Sequence, residues 1–148
     1  MKNTAALFVL SLLVLADSPA AAESPRGPQE VVAAFHAALS GGDRAGVTEL
    51  LAPGVVIFES GGAEFSREEY VSHHLGADME FAKATKVEVV DRQAGETGDA
   101  AWVLTRSRTS GTFKDQKVNL RGTETMLLRK TADGWRIVHI HWSSAKAK

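Results

Sequence analysis

The sequence predicts an α+β fold in which helices come first and a curved antiparallel sheet follows. Three observations lead to this prediction. Apolar residues recur at helical spacing up to about residue 75, and apolar and polar residues alternate from Thr85 onward. Short segments rich in Gly and Asp separate the alternating runs. About three N-terminal helices followed by a meander of four strands favour a sheet that folds around the first helix.

The chain begins with the three parts of a secretory signal. Lys2 supplies the charge, residues 5–16 form an apolar run, and small residues end at Ala22. The apolar run is shorter than the roughly 20 residues that span a bilayer. We therefore expect residues 1–22 to be a signal peptide, residues 23–148 to be a single domain, and the protein to be periplasmic or secreted.

The composition argues against nucleic acid as a partner. The formal net charge is −1, from 17 Lys and Arg against 18 Asp and Glu. Nucleic-acid binding draws on clustered basic residues that neutralise phosphates, and the longest basic cluster here is Arg129 and Lys130. The chain contains no cysteine, so it has no disulfides and its stability depends on an apolar core.

The first two helices have clear start and stop signals. Pro28 suits the first turn of a helix, and residues 31–39 carry apolar side chains at helical spacing before two glycines end the run. Asp43 is placed to cap a second, shorter helix that ends at about Leu51.

A short strand and a third helix follow. Residues 55–59 favour a strand, and residues 63–65 can pair with it as a brief hairpin. Ser66 and Glu69 form a capping-box pattern, which opens a third helix through about Leu75. Four long strands complete the chain, with turns at residues 95–99, 114–116 and 133–134.

Two local strings resemble the nuclear transport factor 2-like superfamily. FHAALSGGD at residues 35–43 is similar to its first helix and turn, and WRIVHIHWSS at residues 135–144 is similar to the last strand of its SnoaL-like and kinase-association-domain branches. The resemblance covers nearly all of residues 23–148. It implies a cone-shaped sheet closed at one end by helices. The superfamily contains isomerases, cyclases, dehydratases and members that only bind or dimerise, so the fold does not select a function.

Two strand histidines are candidate ligands for a metal. His139 and His141 are two residues apart, so alternation predicts that both project to one face of the sheet together with Trp135 and Ile137. If that face lines the cone, the two imidazoles suit a metal or an anionic ligand. The alternative is that one is packed and hydrogen-bonded inside while the other lies near the rim.

Two further residues can join this pair from the third helix. His74 and Asp78 are four residues apart and share a helix face if the helix continues past Gly76. With His139 and His141 they would form a mixed nitrogen and oxygen site for a divalent metal such as zinc or copper. The alternative is that the helix histidines are exposed and bind nothing. His36 has no part in this predicted site.

Glu59 is the candidate catalytic base. It closes the first strand before a glycine-rich turn, so its carboxylate can face the mouth of the cone. By the resemblance it lies where the ketosteroid isomerase branch carries an acidic base. The tyrosine that holds the oxyanion in that branch falls at Phe35, whose phenyl ring cannot donate a hydrogen bond. The alternative for Glu59 is a solvated carboxylate.

Charged residues also occur among apolar strand positions. Arg106 and Arg108 share a strand face with Trp102, and Glu124 lies on the next strand. A cross-strand Arg–Glu pair is the expected arrangement, and the alternative is that Arg106 or Arg108 binds the carboxylate of a ligand. The predicted ligand-binding set is Glu59, His74, His139, His141, Phe35, Tyr70 and Arg106.

Ile140 and Trp142 alternate away from the strand histidines, and they predict an apolar stripe on the outer sheet face through which a homodimer forms. The predicted function is binding of a small molecule or divalent metal in the cone. The alternatives are an acid–base enzyme of the isomerase, cyclase or hydratase type and a non-catalytic dimerisation module.

Overall fold

A computed structural model gives the structure of this protein and describes residues 27–148. The predicted signal peptide, residues 1–22, lies outside the described residues. The elements are α1 (Pro28–Gly41), α2 (Arg44–Leu50), β1 (Leu51–Glu59), β2 (Gly62–Glu64), α3 (Arg67–His73), α4 (Leu75–Ala84), β3 (Thr85–Thr97), β4 (Ala100–Phe113), β5 (Gln116–Thr131) and β6 (Gly134–Lys146). None of these helices has the length and apolar character that crossing a membrane requires.

The helix boundaries follow the signals in the sequence. Pro28 is the first residue of α1, and Gly42 ends that helix in the left-handed conformation at φ 72°, which glycine adopts without steric cost. Asp43 caps α2 by accepting a hydrogen bond from the backbone amide of Gly46 at 2.9 Å. The predicted capping box opens α3, where the amide of Glu69 donates to the hydroxyl of Ser66 at 3.1 Å.

The predicted third helix corresponds to α3, and a separate helix, α4, follows it, which gives four helices among residues 27–148. His74 caps both helices at the boundary between them, and the glycine at position 76 continues α4. Leu75 and Met79 belong to the buried core, so packing orients α4. Tertiary packing thus compensates for a glycine that costs only about 1 kcal/mol in a helix interior.

The six strands form one sheet in the order β2-β1-β6-β5-β4-β3. The predicted antiparallel meander is confirmed for β3 to β6. One pair differs from the prediction, because β1 runs parallel to β6. Helices α1, α3 and α4 contribute buried residues to the core beneath the sheet, namely Val31, Val32, Phe35, Leu39, Tyr70, Leu75 and Met79.

A bulge in β6 decides which side chains enter the cone. Two successive residues of β5 pair with Ile137 and His139, which leaves Val138 as an extra residue in β6. Ile137 faces the core before the bulge, and Ile140 faces it afterwards, both with 0% exposure. One extra residue reverses the alternation, so the two strand histidines share the outer face of the sheet.

Ile140 and Trp142 are therefore inner residues, and the predicted outer stripe formed by them is wrong. Trp142 packs against the core, and its ring centroid lies 6.3 Å from that of Phe35 and 6.4 Å from that of Tyr70. Their outward orientation was predicted from an unbroken alternation along β6, and the bulge interrupts that alternation.

Candidate functional site

Five side chains lie side by side across the inner face of the sheet. The strand register pairs Arg92 with Thr105, Thr105 with Glu124, Glu124 with Trp142, and Trp142 with Glu59. Each residue comes from a different strand, in the order β3, β4, β5, β6 and β1. We call these five residues the polar row.

The polar row separates the packed core from the open end of the cone. The adjacent row on the core side is apolar and formed by Ala94, Val103, Met126, Ile140 and Ile57. The adjacent row on the other side contains Val89, Ser107, Gly122 and Ser144, of which Val89 and Ser144 are exposed. The side of the polar row away from the core is therefore its less buried side, and we call it the open end of the cone.

A tyrosine and a carboxyl from the helices cover the Glu59 end of the row. The hydroxyl of Tyr70 donates a hydrogen bond to Oδ2 of Asp78 at 2.7 Å, and Tyr70 is 1% exposed. Burial raises the pKa of Asp78, although the Tyr70 hydrogen bond and the charge of His74 act in the opposite direction. Burial and the nearby Asp78 carboxylate also raise the pKa of Tyr70, which keeps its proton.

Glu59 shares this environment. Burial of its carboxyl raises its pKa, the charge of Asp78 raises it further, and the charge of His74 lowers it. The residue as a whole nevertheless keeps exposed surface, so a ligand can contact it. Two carboxyls with raised pKa values beside a buried tyrosine are typical of a functional site, because structural carboxylates usually have partners that lower their pKa.

His74 is held at the edge of this group by a contact with a buried carboxyl group. Its Nδ1 contacts Oε1 of Glu64, which belongs to β2 and is 6% exposed. The imidazole itself is largely exposed. The pair fixes the ring next to Glu59 and Asp78, where its charge affects both carboxyls.

The middle of the row contains a buried carboxylate. Oε2 of Glu124 accepts hydrogen bonds from Nε1 of Trp142 at 2.7 Å and from Nε2 of His36 at 2.8 Å. Burial alone would raise the pKa of Glu124. The hydrogen bonds from His36 and Trp142, together with the charges of His36 and Arg92, outweigh burial and lower it. Glu124 is therefore ionised at neutral pH.

Four of the predicted site residues come together at the Glu59 end. They are Glu59, Tyr70, His74 and Asp78.

The strand histidines are not among them, and the prediction that they line the cone is wrong. Nδ1 of His139 lies 2.9 Å from the carbonyl oxygen of Val56. The ring of Phe58, on the outer face, lies 5.2 Å from the ring of His139 and 6.3 Å from that of His141. The sheet separates both imidazoles from His74 and Asp78, so the predicted four-residue metal set does not form. No group of three or more His, Asp or Glu side chains within residues 27–148 is arranged to hold a metal ion.

Two other predicted ligand-binding residues also lie elsewhere. Arg106 is exposed and pairs in register with Thr123, whereas Glu124 pairs with the preceding residue, Thr105. Because neighbouring residues of a strand face opposite sides, the expected Arg106–Glu124 pair cannot form. Phe35 has 0% exposure and belongs to the core, so its ring packs against Trp142 and does not contact a ligand.

The contact between His36 and Glu124 was not predicted from the sequence. The available signal was the position of Glu124, which shares a strand face with Met126 and Leu128 and must therefore be buried and paired. Its partner comes from α1, and no local pattern in the sequence identifies it. Trp142 was missed as a second partner because the bulge in β6 is not visible in the sequence.

A shallow open cleft lies elsewhere, between the start of α1 and the end of β3. It is lined by residues 27–30 and 94–96. None of the polar-row residues lines it, and it contains none of the carboxyls with raised pKa values. The carboxyls with raised pKa values lie instead at the open end of the cone.

Comparison with known proteins agrees with this fold. Residues 29–147 match the family described as SnoaL-like domain. A candidate ketosteroid isomerase from Shewanella frigidimarina NCIMB 400 is 41% identical, with a TM-score of 0.74 over 76% of this chain and 91% of that one. A candidate dehydratase of the NTF2-like family from Streptomyces avermitilis is 20% identical, with a TM-score of 0.68 over 79% and 93%. The CaMKII hub of S. rosetta is 25% identical, with a TM-score of 0.66 over 82% and 99%. No curated protein shows a significant match.

Proposed function

The chain belongs to the SnoaL-like domain family, and from that premise we propose that it binds a small organic molecule at the open end of its cone and shifts a proton within it. The observation that supports this proposal is the group of Glu59, Asp78 and Tyr70, in which both carboxyls have raised pKa values. Acid–base catalysis requires such groups, because a base and an acid must both change protonation state near neutral pH.

The surroundings of the two carboxyls assign their roles. Glu59 is the more exposed carboxyl, so we assign it as the base that contacts the ligand. We assign the more buried Asp78 as the hydrogen-bond donor, a role that requires Asp78 to hold its proton while Glu59 is charged. Glu59 then takes a proton from a carbon next to a carbonyl group, and the C–H electron pair moves towards the carbonyl oxygen. The O–H of Asp78 donates a hydrogen bond to that oxygen, and Glu59 returns the proton to a different carbon.

Tyr70 positions Asp78 in this scheme. Tyr70 is buried, and its hydroxyl contacts Asp78. The carboxyl of Asp78, rather than the Tyr70 hydroxyl, therefore contacts the ligand. A donor on α4 thereby replaces the tyrosine that the ketosteroid isomerase branch would carry at Phe35. The similarity to the Shewanella protein supports a proton shift of the isomerase kind, without defining the substrate.

Asp78→Asn tests the proposal. The probe is 3-cyclohexen-1-one, whose conversion to the conjugated 2-cyclohexen-1-one is followed by ultraviolet absorbance. We expect the unmodified protein to accelerate the conversion and Asp78→Asn to lower kcat about tenfold to a hundredfold, because an amide is a weaker donor to a developing oxyanion.

Glu80→Gln is the matched control, since Glu80 is an exposed acidic residue of the same helix. It should leave kcat unchanged. If the unmodified protein is no faster than buffer, or if the two variants lose activity equally, the proposed catalysis is wrong.

We also propose that the outer sheet face binds a second copy of the chain. Phe58, Trp102, Leu104 and Leu127 are about 40% exposed, which is unusual for large apolar side chains on a sheet. Trp102 and Leu127 are register partners, so they form one continuous patch. These residues replace the predicted stripe of Ile140 and Trp142, which faces inward.

Trp102→Glu tests the proposed dimer, because it places a charge at the centre of this patch. If the patch is a dry interface, the dissociation constant should rise at least about a hundredfold, since an unpaired buried charge costs several kcal/mol. Analytical ultracentrifugation measures the change. Phe65→Glu is the control, since Phe65 is 66% exposed and belongs to no strand. A monomeric unmodified protein at micromolar concentration would contradict the proposal.

We also propose that the protein is exported through the signal peptide at residues 1–22, which lie outside the described residues. Binding of zinc or copper also stays a prediction. Of the residues expected to hold the metal, only His74 and Asp78 lie together, with Glu59 beside them.

A further inference from the structure

The Glu124 end of the polar row contains unused hydrogen-bonding groups. We propose that Glu124, His36 and Arg92 form a subsite that binds an uncharged hydroxyl group of the ligand. This inference rests on the proposed function only in taking the open end of the cone as the ligand site. It does not depend on catalysis at Glu59.

The first observation is an unpaired carboxylate oxygen. The side chain of Glu124 is 8% exposed, and both of its donors, Trp142 and His36, bind Oε2. Oε1 is buried and has no hydrogen-bond partner within residues 27–148. A buried acceptor without a donor destabilises the structure, and more so when it is charged. An O–H donor from a ligand at the open end would satisfy Oε1.

The second observation is a cationic donor in the same row. Nε of Arg92 donates to the hydroxyl of Thr105 at 3.1 Å, and Thr105 is the register partner of Glu124. Neighbouring strands lie about 4.8 Å apart, so the long Arg92 side chain extends towards Glu124, whose pKa its charge lowers. The terminal nitrogens of Arg92 have no hydrogen-bond partner in the part of the chain that the structure describes.

His36 completes the subsite. Its Nε2 binds Glu124, its side chain is 37% exposed, and no other residue of the described chain binds its Nδ1. The ion pair orients the imidazole, so Nδ1 lies on the side of the ring away from Glu124. A ligand group at this end therefore meets a fixed ring as well as Glu124 and Arg92.

The charges of these groups select among ligand groups. A ligand carboxylate can accept hydrogen bonds from Arg92 but leaves Oε1 of Glu124 unpaired. A ligand ammonium can donate to Oε1 but leaves the terminal nitrogens of Arg92 unpaired. An ether can accept a hydrogen bond from Arg92 but leaves Oε1 of Glu124 unpaired. A hydroxyl group donates to Oε1 and accepts from Arg92, so it is the small uncharged group that satisfies both.

The test uses four probes that share one ring, namely benzyl alcohol, benzyl methyl ether, benzoate and benzylammonium. Their dissociation constants are measured by NMR from the indole N–H signal of Trp142, since this group binds Glu124 directly. We expect benzyl alcohol to bind at least about fivefold more tightly than each of the others, because it alone hydrogen-bonds to both charged groups of the subsite. Equal or tighter binding of the ether or of benzoate would overturn the proposal, as would no binding of benzyl alcohol.

Glu124→Gln removes the charge and nearly preserves the volume. We expect the preference for benzyl alcohol over benzoate to disappear in this variant, and a preserved preference would overturn the proposal. If Glu124→Gln does not fold, the comparison of the four probes with the unmodified protein decides alone. Glu80→Gln is the control, since Glu80 is an exposed carboxyl outside the polar row, and it should keep the preference. A protein that prefers benzyl alcohol but does not isomerise 3-cyclohexen-1-one would refute the proposed catalysis and support the hydroxyl subsite.

Discussion

Replacing Ile140 with alanine is expected to lower the free energy of unfolding by about 2 to 5 kcal/mol, as is usual for a fully buried isoleucine. Ile140 has 0% exposure and belongs to the apolar row beneath the polar row. The truncation would leave a cavity between the sheet and the helices. Urea unfolding followed by circular dichroism measures the change.

His141→Ala is the matched control, because His141 is the next residue along β6 and is exposed. It should change the free energy of unfolding by less than about 0.5 kcal/mol. This pair of variants tests the bulge in β6 directly. Without the bulge, His141 would face the cone and Ile140 would face solvent, so a larger loss for His141→Ala than for Ile140→Ala would contradict the observed register.

Glu59→Gln is expected to lower kcat/KM for 3-cyclohexen-1-one by about two to four orders of magnitude, which is the usual contribution of a general base. Glutamine keeps the shape of the side chain but cannot accept the proton. Glu68→Gln is the control, because Glu68 is an exposed carboxyl of α3 outside the site. A loss of less than about threefold in Glu59→Gln would show that another group is the base.

The proposed roles also fix the pH dependence of the reaction. Glu59 must be ionised to act as the base, so activity rises as the pH increases through its raised pKa. Asp78 must be protonated to donate, so activity falls as the pH rises through its own raised pKa. The expected profile is a bell whose acidic side is absent from Glu59→Gln. A profile that is flat from acidic to neutral pH would contradict these roles.

Local signals in the sequence predicted most of the fold. Pro28, Asp43 and Ser66 marked the starts of helices, and the period of two marked the strands from Thr85 onward. These signals act between residues that are close in the chain. The parallel pairing of β1 with β6 joins segments that are distant in the chain, so no local sequence pattern predicts it.

The candidate site was predicted only where it lies near the ends of elements. Glu59 ends β1 and His74 lies between two helices, and both were identified from the sequence. The inner residues of β6 were misplaced because Val138 reverses the alternation. Such a bulge depends on pairing with β5, which the sequence of β6 alone does not reveal. The His36–Glu124 contact was missed because it joins α1 to β5.

A titration of the side-chain carboxyl carbons by 13C NMR tests the proposed proton transfer most directly, because it requires no knowledge of the natural ligand. Glu59 and Asp78 are predicted to titrate above the usual values of about 4.3 and 3.9, since burial opposes their ionisation. Glu124 is predicted to titrate below its usual value, because the hydrogen bonds from His36 and Trp142 outweigh its burial. Glu59 and Asp78 titrating at or below their usual values would contradict their assignment as a base and an acid poised for proton transfer.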